Sequence, residues 1–178
     1  MRVKQLISSQ NILLMKNKKG KRNKKVKEIL TFKQAVEATP DIVSGYRTGL
    51  SALAGYSSRV TVADTTKLEG SVDIDAETTA IYPNANRWDY AIAYKAEVYF
   101  IEVHSANTSE VGRMLKKLQW LKDWLNSKAP EINKLKAKSR NHYIWIQSKS
   151  VQIPKNTPQY RNAVKNGILP VKTFELDF

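Results

Sequence analysis

Residues 87–104 read Arg87-Trp88-Asp89-Tyr90-Ala91-Ile92-Ala93-Tyr94-Lys95-Ala96-Glu97-Val98-Tyr99-Phe100-Ile101-Glu102-Val103-His104. The run 88–94 alternates large with smaller side chains, and 97–103 is rich in the β-branched and aromatic residues that a pleated sheet accepts. Two strands are expected, with only Lys95 and Ala96 between them, so the chain should close an antiparallel hairpin, although neither residue is the glycine or asparagine that a two-residue turn prefers. Such a loop pairs Tyr94 with Glu97, and counting outward sets Asp89 opposite Glu102 on one face. A four-residue loop with the same centre gives the same pairing, whereas an odd-length loop would put the acids on opposite faces. Opposed residues have Cβ atoms about 5 Å apart. Two carboxylates that close repel unless a cation or a shared proton intervenes. Magnesium, or manganese in its place, suits an all-oxygen site and takes one or two protein carboxylates with water filling the rest.

Toward the C-terminus, Ser105 to Ser109 form a polar break in which Thr108 or Ser109 can cap a helix. Val111, Met114, Leu115, Leu118, Leu121 and Leu125 then lie on one stripe at helical spacing, and the pattern stops between Ser127 and Pro130. A lysine-rich connection through Lys138 leads to a strand over His142 to Gln147. Thr157-Pro158 opens a last helix, Gly167 closes it, and Val171 to Leu176 make a final strand. Toward the N-terminus, Thr31 caps a short helix through Phe32, Ala35 and Val36. Thr39-Pro40 starts a second helix running to about Ala54, with Gly45 and Gly49 inside it and Gly55 as its stop. Arg59 to Ala63 read as a short strand, and Thr65 to Asn86 as mostly loop or irregular hairpin, ending in the turn-rich Pro83 to Asn86. This order predicts an α/β domain over 31–178, a mixed sheet with helices on its two faces, preceded by a basic extension over 1–30.

The length of 178 residues suits one domain with its own core, and 42% apolar against 26% charged residues argues against wholesale disorder. The absence of cysteine removes disulfides and thiolate zinc sites and favours a reducing compartment, the cytoplasm. No apolar run reaches the roughly 18 residues a membrane span needs, and no signal peptide or anchor is read. A net charge of +14 points to a polyanionic partner, nucleic acid being the commonest. Lys16, Lys18, Lys19, Lys21, Arg22, Lys24, Lys25 and Lys27 fall in one stretch without an acid. They make either a solvated arm or direct phosphate contacts.

With these residues in place, the chain resembles the PD-(D/E)xK nuclease superfamily over roughly Phe32 to Gln147. The resemblance implies a restriction-endonuclease-like three-layer sandwich and a magnesium- or manganese-dependent endonuclease acting on nucleic acid, DNA ahead of RNA. Asp89 matches the family's aspartate and Glu102 the acid of its Glu-x-Lys, which makes them metal ligands, with the carbonyl of Val103 as a further one. The family's lysine position holds His104, on the same sheet face as Glu102. An imidazole can take a proton from water or bind a metal. It does not supply a lysine's fixed positive charge beside phosphate. In some members of the superfamily the lysine comes from a neighbouring element, for which Lys116 and Lys117 are candidates if the helix turns them toward the site.

On a helical wheel Trp120 and Trp124 lie with Arg113 and Lys117 away from the apolar stripe, where a surface helix would show polar groups. Something should cover them: the N-terminal extension, another helix, or a second copy in a homodimer. Alternatively they stack on exposed bases flanked by Arg113, Lys116 and Lys117. Two function classes follow. One is a metal-dependent phosphodiesterase using Asp89, Glu102 and His104. The other is a noncatalytic nucleic-acid-binding or protein-interaction domain that kept the fold.

Overall fold

The computed structural model describes residues 29–176. The basic run Lys16 to Lys27, with its expected phosphate contacts, lies outside the described residues. The hairpin forms as counted: β3 (Tyr90–Tyr94) pairs antiparallel with β4 (Glu97–His104), Tyr94 opposite Glu97 and Tyr90 opposite Ile101. In chain order the preceding elements are α1 (Phe32–Glu37), β1 (Val60–Val62), β2 (Leu68–Asp73) and α2 (Ile74–Thr78). Those that follow are α3 (Val111–Ser127), α4 (Pro130–Lys134), β5 (Tyr143–Gln147), α5 (Pro158–Lys165) and β6 (Phe174–Leu176). Lys95 and Ala96 make the two-residue turn at φ 51° and 59°. Both central residues of such a turn need positive φ to match the strand twist, so the turn accepts two unfavourable residues to keep the register.

The main sheet has the order β2-β3-β4-β5, antiparallel up to β4 and parallel between β4 and β5, with α3 and α4 making the crossover. It is a mixed sheet in an α/β domain, as expected. One face packs Val72, Ala91, Ala93, Val98, Phe100 and Trp145 against side chains of α1, α3, α4 and α5, including Phe32, Met114, Leu118, Ile132 and Ala163. The other face, with Ile92, Tyr94, Tyr99, Ile101, Ile144 and Ile146, packs under Leu53, Val60, Phe174 and Leu176. The expectation of helices on both faces is therefore corrected. Among the described residues, this second face is covered by a 3-10 segment and by the parallel pair β1 and β6.

Two readings along the chain are also corrected. The expected helix from Pro40 to Ala54 is a 3-10 turn, Pro40–Ile42, followed by a segment that bridges Arg47 to Ser71. Gly49 sits at φ +58°, and Ala54 at φ 45° interrupts the later 3-10 run Ser51–Arg59, so helical geometry cannot continue through either. The region 65–86, expected to be mostly loop, holds β2 and α2, and only its end over 79–86 is left in turns. Small residues hide this strand because the chain passes closely over it. A Cβ on Gly70 would stand 2.5 Å from Tyr46 Cε2 and 2.7 Å from the Arg47 carbonyl.

Candidate active site

The site stands where β3 begins and β4 ends, under α3. Asp89 lies one step beyond the pair Tyr90 and Ile101, which continues the register to Glu102. Each acid is clasped by the other's strand. The Asp89 N–H donates to Glu102 Oε2 at 3.1 Å, and the Val103 N–H donates to Asp89 Oδ2 at 2.9 Å. The Asp89 carbonyl in turn accepts from Ile74 N–H at 2.8 Å, tying the strand start to the beginning of α2. Backbone hydrogen bonds thus hold both carboxylates in place before any ligand arrives.

The cation comes from α3. Lys117 Nζ donates to Asp89 Oδ1 at 3.0 Å and also to Glu102 Oε1. The Glu102 side chain is 0% exposed, Lys117 14% and Asp89 20%, so the cluster opens to solvent on the Asp89 and Lys117 side only. Burial, and then the neighbouring Asp89 charge, push Glu102 well above the ordinary carboxylate range, with Lys117 opposing them. Burial works against charge on Lys117 as well, but Glu102 and Asp89 outweigh it and hold the amine above its usual value. Two carboxylates and one ammonium leave one negative charge in a largely buried place. Such a charge calls for a proton or a further cation.

The surroundings add acid. Burial raises Asp73, partly offset by the Ala76 N–H it accepts, and Asp75 and Asp89 raise it further. Tyr90 is raised by burial and then by Asp73 and Asp89. Among the described residues, no group of three or more histidine, cysteine, aspartate or glutamate side chains is placed to hold a metal ion. A divalent ion here would depend on Asp89, Glu102 and main-chain oxygen, which matches the habit of magnesium to keep several waters. The donor set is all oxygen, and its uncompensated charge suits a cation.

Of the residues singled out from the sequence, Asp89, Glu102 and Lys117 come together. His104 shares Glu102's strand but spends its Nε2 on Glu110 Oε2 at 2.7 Å, and Arg113 Nη1 reaches the same carboxylate at 3.4 Å. Lys116 is exposed on α3. Val103 gives its N–H to Asp89, and since a strand residue's N–H and C=O point to the same edge, its carbonyl faces that side too.

Trp124 finds cover within the chain, and Trp120 is covered only in part. Trp124 is 3% exposed and donates from Nε1 to Asp41 Oδ2 at 2.9 Å. Trp120 stacks on it with centroids 5.9 Å apart, and Tyr82 meets Trp120 edge-on. Trp124 therefore needs no second copy to bury it.

One contact was not read from the sequence, Glu110 as the partner of His104. Lys117 was a candidate together with Lys116, although the helical wheel set it away from the apolar stripe. The structure corrects that placement: Lys117, three residues after Met114 and four before Leu121, stands at the border of the stripe and turns to both acids. A cavity of about 430 Å³ lined by Ile29, Leu30, Phe32, Val98 and Leu135 opens beside the β3–β4 turn, and none of the carboxylate cluster lines it. No family model, no curated protein and no solved structure was found to match this chain.

Proposed function

We propose that the chain is a metal-dependent nuclease of the restriction-endonuclease-like fold, hydrolysing phosphodiesters at Asp89, Glu102 and Lys117. The observation that carries this reading is the contact of one lysine with both members of a cross-strand carboxylate pair, because it supplies from α3 the cation that His104 fails to supply from β4. The β2-β3-β4-β5 sheet, with α3 following β4, supports the fold assignment.

Asp89 and Glu102 would hold the ion, magnesium or manganese, and the Val103 carbonyl on the same edge could add a third oxygen. When bound, the ion offsets charge on the phosphate and makes nearby water more acidic. The residues do the rest. Backbone clasps on one oxygen of each carboxylate fix the pair, so the acids themselves need not be reoriented when substrate arrives. Lys117, which meets both carboxylates, would point N–H groups at the attacking water and at the phosphate oxygens where negative charge develops. Arg113 and Lys116, exposed on the same helix, can meet flanking phosphates.

The test is cleavage of plasmid and of single-stranded oligonucleotide with magnesium or manganese, with and without a chelator. Wild type should cut only with metal, and Asp89→Asn, Glu102→Gln and Lys117→Met should not cut. Variants that cut as fast as wild type would overturn the assignment. Tight binding by a wild type that never cuts would make the domain a noncatalytic binding module instead.

A further inference from the structure

Of the four tryptophans, Trp88, Trp124 and Trp145 are buried, and Trp120 alone is partly exposed. It sits three residues after Lys117 on α3, about 4.5 Å along the helix axis. It follows the exposed Lys116 by four residues, so the two share a helix face. Its ring is already held. Trp124 stacks behind it at 9° between planes and Tyr82 braces it edge-on, both with centroids 5.9 Å away. Behind them, Asp41 accepts from Trp124 Nε1 at 2.9 Å and from the Tyr82 hydroxyl at 2.7 Å, which fixes the support. A braced, partly exposed indole beside exposed cations and a phosphodiester site has the parts of a base-stacking platform.

We infer that Trp120 is a nucleobase platform beside the active site, and that the substrate is single-stranded or locally unpaired nucleic acid. The inference rests on the nuclease reading of Asp89, Glu102 and Lys117. Bases inside a duplex already stack on both faces and offer none to an indole, whereas an unpaired base next to the bound phosphate offers its whole face. Arg113 and Lys116 supply the charge that tracks the strand.

The experiment measures tryptophan fluorescence and affinity with a single-stranded oligonucleotide and with its duplex, in chelator so that nothing is cut. The full chain is used as wild type, Trp120→Leu and Trp120→Phe. Leucine keeps apolar cover over Trp124 without an aromatic face, and unchanged circular dichroism confirms that each variant is folded. The single strand should quench wild-type emission and bind more tightly than duplex. Both variants lose the Trp120 emission and its quenching, so affinity decides: Trp120→Leu should weaken single-strand binding by about 5- to 150-fold with duplex binding unchanged, and the affinity of Trp120→Phe should fall in between.

Equal loss on both substrates, or no loss, overturns the platform, as does a concentration-dependent dimer that Trp120→Leu dissolves. Metal-dependent cleavage by wild type, measured separately on both substrates, keeps the two failures apart. Cleavage that persists in Trp120→Leu without strand preference sinks the platform and leaves the active site standing. Absence of both cleavage and binding sinks both.

Discussion

Lys117→Met removes the ammonium paired with both Asp89 and Glu102 and puts an apolar chain of similar length in its place. Removing one partner of a buried charge pair costs about 3–5 kcal/mol, because the remaining charge is left without compensation. Against a typical stability of about 5–15 kcal/mol this is a large share. The cost should depend on pH, because Glu102 has an escape. Its folded pKa already lies well above the ordinary value through burial and Asp89, and losing Lys117 removes the charge that opposed the rise. A carboxyl with a raised folded pKa favours the native state fully below its unfolded pKa, and that contribution is lost as pH rises through the folded pKa. Without the opposing ammonium the variant's Glu102 should keep its proton to higher pH than the wild type's, so the destabilisation should grow as pH rises from the acid to the alkaline side. Urea unfolding of wild type and variant across a pH series measures this. A destabilisation that shrinks as pH rises, or that stays flat across the whole series, would refute the account of the cluster's charge.

Glu102→Gln should unfold at the same or higher temperature than wild type at pH 8, since Lys117 then faces Asp89 alone, while cleavage falls by about 10³-fold or more through loss of a metal ligand. Thermal unfolding and cleavage rates read the two effects separately. His104→Ala should keep cleavage within about tenfold of wild type, against the about 10²-fold or more expected for loss of a general base, because Lys117 and not His104 meets the carboxylates. Asp41→Ala leaves the Tyr82 hydroxyl and Trp124 Nε1 without their acceptor and should cost about 1–3 kcal/mol in urea unfolding, with Asp41→Asn losing less. Deleting residues 16–27 should flatten the salt dependence of duplex binding by roughly 0.9 in log–log slope for each phosphate that the arm neutralises, and an unchanged slope would make the arm a solubility tail.

The pairing of Asp89 with Glu102 was legible because register in a tight hairpin is a counting problem, and the strands on either side of Lys95-Ala96 leave no spare residue. The helix α3, the strand β5 and the Thr157 cap of α5 were legible from periodicity and from cap residues. The strand β2 was not. Its Gly70 and Ser71 are small because Tyr46, Arg47 and the Ala52 N–H come close to them, a tertiary demand that leaves no local pattern. The second helix was overread because Pro40 and the apolar residues after it carry a helix-start signal, while the turn conformations at Gly49 and Ala54 depend on how the segment crosses the sheet edge. In the site, two carboxylates were legible and their cation only as a candidate. A residue bordering a buried stripe faces core, solvent or a polar cluster according to what packs beside the helix. Here that neighbour is the end of β4, reached only after the chain folds.

The most direct measurement is a crystal of the full chain soaked in manganese, with anomalous scattering collected to locate the ion. The account predicts a manganese peak within bonding reach of the Asp89 and Glu102 carboxylates in wild type, and no such peak in Glu102→Gln. A wild-type crystal with manganese bound elsewhere, or with Lys117 still holding both carboxylates and no ion beside them at saturating metal, would contradict it.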